Sequence, residues 1–198
     1  EAPRLPEHGP VSAGSVLASL PFEVPTLPDG FVTRPDLIAA IKHSVLHSAD
    51  AIATAVTAPA RKAITPSNTT TTQGMGGVGK TTITAALVRD REVRAAFKII
   101  CWVSVGQEPD LSELQQTLYR QLVAQPLPEA AKASPLLALE VLKKAATGVS
   151  VLLVLDDVWI ASHATPLTFV DDSDAHSAII VTTRMRSLLK GAAEVQCG

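Results

Sequence analysis

A chain of 198 residues suits one domain, or one domain with an arm, and its 46% apolar content is enough for a sizeable core. Aromatic residues are only 4%, so that core is aliphatic; a formal net charge of −2 without a basic block argues against a phosphate-neutralising nucleic-acid surface. Cys101 and Cys197 are too few for a disulfide scaffold and read as reduced thiols of a cytoplasmic protein, and no apolar run approaches the ~18 residues of a membrane span.

Residues 1–30 carry Pro3, Pro6, Pro10, Pro21, Pro25 and Pro28 and read as an extended, poorly ordered lead-in. Leu37, Ile38, Ile41, Val45 and Leu46 then recur at helical spacing and predict an amphipathic helix over 35–48. Residues 50–58 extend it or form a second, alanine-rich helix, and the polar tract Ser67–Thr72 reads as loop. From Gly74 the order becomes regular. A glycine loop leads into a helix at about 80–90, and FKIICWVSV at 97–105 predicts a buried strand. Asp110 and Glu113 have the spacing of a capping box ahead of a helix that runs to about Gln125. A further helix starts at Ser134-Pro135 and stops at Gly148. Val151–Leu155 and Ala178–Thr182 predict two more buried strands, with a last helix near Met185. Strands alternating with helices imply an α/β fold with a mostly parallel sheet covered on both faces.

Three segments carry chemistry. GMGGVGKTT at 74–82 matches G-x-x-x-x-G-K-[ST]. Gly74, Met75, Gly76, Gly77, Val78 and Gly79 supply a loop whose glycines allow positive φ and close backbone approach, so that successive N–H groups form an anion nest at a helix start. Lys80 adds a point charge for the β and γ phosphates, and the hydroxyls of Thr81 and Thr82 follow, that of Thr81 aimed at Mg²⁺. VLLVLDDVW at 151–159 ends an apolar strand in two carboxylates, at the end where open α/β sheets bind ligands. Asp156 is the metal-side candidate, and Asp157 the one to polarise an attacking water. AIIVTTRMR at 178–186 ends a third strand in Arg184, which reads either as a surface arginine opening a helix or as a group that reaches the γ-phosphate. His43 and His47 share a helix face without a third metal ligand, and Trp102 and Trp159 read as packing beside the strands.

GMGGVGKTT, FKIICWVSV, LLVLDDVW and IIVTTR, in this order and spacing, resemble the NB-ARC domain. That is the nucleotide-binding module of plant disease-resistance proteins and animal apoptosis-activating ATPases, in the STAND class of signalling NTPases. The resemblance covers roughly residues 31–198 and implies a P-loop NTPase three-layer sandwich. It implies ADP or ATP with Mg²⁺ as cofactors, and a switch closed with ADP and open to self-oligomerise with ATP, with slow or absent Mg-dependent hydrolysis. Protein partners in the full-length protein follow from the same likeness. Val32 and Arg34, in Phe31-Val32-Thr33-Arg34, match the family's adenine-side segment, and Arg184 matches its phosphate-sensing arginine, so Asp157 and Arg184 are the catalytic candidates. An active P-loop ATPase of another class, or a non-catalytic interaction fragment that keeps the fold, are the competing expectations.

Two features depart from the family pattern. The segment before the P-loop, Asn68-Thr69-Thr70-Thr71-Thr72-Gln73, is polar where an apolar strand is usual. The chain also stops at Gly198, ahead of the family's helical and winged-helix domains. The expected organisation is a lead-in over 1–30, a helical arm with the adenine-side segment over 31–73, and the nucleotide-binding domain over 74–198. The sheet is expected to be incomplete at its C-terminal edge, with the outer neighbour of the P-loop strand following Gly198.

Overall fold

The computed structural model describes residues 17–46, 55–56, 69–73, 79–170, 177–185 and 193–196. Three mostly apolar runs without polar alternation form three of its strands, as expected of strands covered on both faces. They are β3 (Ile99–Gly106), β4 (Val151–Val158) and β5 (Ala178–Thr183). With β1 (Ala55–Val56), β2 (Thr69–Gln73) and β6 (Ala193–Gln196) they make one sheet of order β1-β6-β2-β5-β4-β3, and every pairing is parallel.

Side-chain alternation divides the apolar residues between two cores. Ile100, Trp102, Leu152, Val154, Ala178 and Ile180 face α1 (Pro35–Leu46), α2 (Lys80–Leu87) and α3 (Arg91–Ala96), where they meet Ile41, Val45, Ile83, Leu87 and Val93. Cys101, Val103, Leu153, Leu155, Ile179 and Val181 face the other way, onto Leu118 and Leu122 of α4 (Leu111–Val123) and Leu142 of α5 (Pro135–Ala146). Period 2 in the strands thus builds the three-layer sandwich that the sequence predicts. Burial pushes the Cys101 thiol up to about 12, with a further push from Glu23, so this cysteine is an inert core residue.

The helix ends follow their sequence signals. Asp110 accepts the Glu113 N–H at 3.0 Å, Ser134 accepts the Leu137 N–H at 3.2 Å, and Asp90 accepts the N–H groups of Glu92 and Val93 at 2.8 and 3.3 Å. At the β3 edge the Gln121 amide of α4 stands in for a missing strand. Trp102 N–H donates to Gln121 Oε1 at 2.8 Å, and Gln121 Nε2 donates to the Trp102 carbonyl at 2.9 Å.

Several expectations change. Residues 55–56 lie in a strand, not an alanine-rich helix. The threonine tract is not loop: Thr69–Gln73 is a strand inside the sheet, consistent with the β preference of β-branched threonine. Its outer neighbour does not follow Gly198, because β6 pairs with it from Thr70↔Ala193 to Gln73↔Gln196. The described lead-in, 17–30, turns at Pro21–Val24 and Pro28–Phe31 and is fastened down. Ala18 exchanges bonds with Arg94 (N–H to carbonyl 2.8 Å, Arg94 Nε to the Ala18 carbonyl 2.9 Å), and Arg89 donates to the Pro25 carbonyl at 2.8 Å. Lys42 of α1 binds Asp90 at 3.1 Å and Glu92 at 2.8 Å, which ties the helical arm to α3. Burial raises the Asp90 pKa, but the bonds from Lys42 and from the Val93 and Glu92 N–H groups outweigh it and leave that pKa below the ordinary value. The helix read near Met185 lies in part outside the described residues.

Candidate functional site

Because the strands are parallel, β2, β4 and β5 all end on one edge of the sheet, and the motif residues gather there. Gly74, Met75, Gly76, Gly77 and Val78 lie outside the described residues. Gly79 has φ 80° and ψ 23°, a left-handed conformation that a side chain would strain. It opens α2 without a side-chain cap of its own, and a helix N-terminus favours an anion. Gly79, Lys80, Thr81, Thr82, Asp157, Thr182 and Arg184 line a cavity of about 250 Å³. Lys80 is 8% exposed, so its charge sits close to the protein interior.

Thr81, which lines this cavity, meets Asp156, 75 residues away in sequence and buried just behind Thr81 and Thr182. The Thr81 hydroxyl donates to Asp156 Oδ1 at 2.8 Å and lies 3.1 Å from Oδ2. Thr182 donates to Oδ1 from the other side at 2.6 Å. Asp156 is 4% exposed; burial raises its pKa, the Thr182 and Thr81 hydroxyls oppose the rise, and Asp157 adds to it, with a net rise. A buried carboxylate in this state gains from a cation. Thr81 and Asp156 place two hard oxygen donors side by side, one of them a buried carboxylate, so these residues fit Mg²⁺.

Consecutive strand residues ordinarily point to opposite faces. Here the β4–β5 register shifts between Leu155 and Val158, and Asp157 takes φ 55°, so the strand is re-aimed at its end. Asp157 thereby also lines the cavity. Its N–H donates to Thr182 Oγ1 at 2.8 Å. Thr182 therefore holds the Asp156 carboxylate and the Asp157 backbone at once, a role the sequence reading did not assign. Arg184 reaches the same cavity wall, with Nε 3.5 Å from Asp157 Oδ1 and its guanidinium carbon 5.1 Å from the centre of the Trp159 ring. The other sequence candidates are not brought in: Val32 is 80% exposed, and neither Val32 nor Arg34 is among the residues that line this cavity. Among the described residues no group of three or more His, Cys, Asp or Glu gathers as a metal cluster, and no helix is long and apolar enough to cross a membrane.

The family model of the NB-ARC domain matches residues 63–197. An RPP13-like disease resistance protein of Arabidopsis thaliana is 34% identical over 118 residues, 56% of this chain and 11% of that protein. Disease resistance protein RGA2 of Solanum bulbocastanum is 34% identical over 86 residues, 43% of this chain and 9% of that protein. The chain thus spans only about a tenth of the length of these relatives. Among solved structures, a chain of the Drosophila origin recognition complex (ORC) bound to DNA aligns with TM-score 0.50 at 12% identity, over 98% of this chain and 51% of that one. That likeness concerns the fold alone. With a family match over more than half its length, and with the lysine, hydroxyl, carboxylate and arginine of the motifs gathered at one sheet edge, the chain belongs to the NB-ARC domain family.

Proposed function

We propose that this domain is an ADP- and ATP-binding switch of a cytoplasmic signalling NTPase of the disease-resistance type, with slow or absent hydrolysis. The observation that carries the reading is the meeting of Thr81 with the buried Asp156 carboxylate at 2.8 Å, beside Lys80 and the uncapped start of α2. A phosphate chain on the 74–82 loop would lie against Lys80 and the helix N–H groups. Mg²⁺, when bound, spreads the phosphate charge, and Thr81 and Asp156 are the residues that hold it. Val32 and Arg34 are assigned to the adenine side, and Arg184 to the γ-phosphate.

Asp157 is the carboxylate that orients a water, yet one of its oxygens faces Arg184 at 3.5 Å. The pairing engages one carboxylate oxygen and leaves the other to orient a water. Self-oligomerisation in the ATP state, and protein partners in the longer protein, belong to the same reading. Calorimetric titration with ADP and ATP, with and without Mg²⁺, tests it alongside phosphate release. Both nucleotides should bind, Mg²⁺ should tighten ATP, and release should fall well below the ~1 s⁻¹ low end of ordinary enzymes. Failure to bind either nucleotide, or turnover at ordinary enzyme rates, would overturn the proposal.

A further inference from the structure

Trp159 stands directly after β4, and the phosphate and metal chemistry of the site makes no use of it. Its ring is half-buried, and the guanidinium carbon of Arg184 lies 5.1 Å from the ring centre. The Arg184 side chain is itself 47% exposed, and an arginine that open ordinarily samples many rotamers. Two groups from the end of β4 restrict it to the cavity wall: the Asp157 carboxylate at 3.5 Å and the Trp159 ring.

These two supports act differently on an arriving anion. A carboxylate takes the N–H edge of a guanidinium, the same edge that a phosphate takes. Asp157 faces Nε at 3.5 Å, so an arriving phosphate would share the guanidinium's five N–H donors with it. An aromatic ring takes the flat face and leaves the edge open. Trp159 can hold Arg184 both before and after an anion arrives, so less side-chain freedom is lost on binding.

We propose that Trp159 is a positioning residue that holds Arg184 by its face, presents its N–H edge to the terminal phosphate of a nucleoside triphosphate, and so sets the preference for ATP over ADP. The inference rests on the reading of Arg184 as the triphosphate contact. The test is the ATP-to-ADP affinity ratio, measured by calorimetry for wild type, Trp159→Ala, Trp159→Phe, Arg184→Ala and the double variant, with circular dichroism to check the fold.

Trp159→Ala should lower the ratio about three- to tenfold with ADP affinity unchanged, the equivalent of ~0.7–1.4 kcal/mol. Trp159→Phe, which keeps a ring face, should retain most of the preference even if the alanine variant folds poorly. In the Arg184→Ala background, Trp159→Ala should cause no further loss. Equal weakening of ADP and ATP, or an undiminished Trp159→Ala effect without Arg184, would overturn the inference. If Arg184→Ala lowers the ratio and neither Trp159 variant does, the Trp159 role alone falls. If Arg184→Ala leaves the ratio unchanged, the reading of Arg184 falls and the Trp159 role with it.

Discussion

Thr182→Val keeps the shape of a side chain only 1% exposed and removes the hydroxyl that serves the Asp156 carboxylate and the Asp157 N–H. One lost bond is charge-assisted, the 2.6 Å donation to Asp156 Oδ1, of a kind that contributes ~1.5–3 kcal/mol. The other leaves the Asp157 N–H without its acceptor, at a cost of ~1–3 kcal/mol for a buried group and less for this partly buried one. Burial of the added methyl returns up to ~0.8 kcal/mol. The net loss should be about 2–3 kcal/mol, or roughly 4–12 °C in Tm for a chain of this size. Because the Thr182 hydroxyl opposes the rise in the Asp156 pKa, its removal lets that pKa rise further, and the deficit should be larger at pH 8 than at pH 5. Urea denaturation and thermal circular dichroism at both pH values, with Thr182→Ser as the variant that restores the hydroxyl, measure this. A Thr182→Val protein as stable as wild type, or a Thr182→Ser protein as unstable as the valine variant, would refute the reasoning.

Asp156 has a folded pKa raised above the ordinary 3.8, so it binds more protons folded than unfolded and its contribution to stability falls as pH rises through that interval. Free of nucleotide and Mg²⁺, Asp156→Asn should match wild type below pH ~4 and exceed it in stability at pH 7.5, while nucleotide affinity loses its Mg²⁺ dependence; denaturation at both pH values and Mg²⁺ titrations check the two halves. Asp157→Ala should spare nucleotide affinity and lower whatever phosphate release the wild type shows, and an affinity loss equal to that of Asp156→Asn would contradict the division of roles. Lys42→Met removes two part-exposed ion pairs and should cost under about 1 kcal/mol at pH 7 in urea denaturation. The Asp90 pKa is lowered, so its stabilisation is present above the unfolded value and lost as pH falls through the folded one, and the gap to wild type should close in acid.

The residues legible in the sequence are those whose chemistry is tied to local spacing. Lys80 and Thr81 follow a glycine loop, and Asp156 ends an apolar run, so side-chain type and strand end were enough to bring them together on the page. Thr182 escaped because its role depends on a register shift between two strands and on the left-handed backbone of Asp157, neither of which has a sequence signature. Trp159 was read as packing, since nothing local says that an arginine 25 residues later lies over its ring. Thr69–Gln73 looked too polar for the middle of a sheet, and its flanking strand, Ala193–Gln196, is four residues with no strong period. The prolines of the lead-in are a local signal and say nothing of Arg89 and Arg94, whose long-range bonds to the Pro25 and Ala18 carbonyls fasten it.

The phosphate site itself is tested most directly by Lys80→Ala, with ADP and ATP affinity measured by calorimetry and the fold by circular dichroism. Loss of a charge-assisted contact from a lysine only 8% exposed should weaken both nucleotides about 10- to 100-fold while the spectrum stays that of wild type. Unchanged affinity in a folded Lys80→Ala protein would contradict the assignment of the phosphates to this cavity.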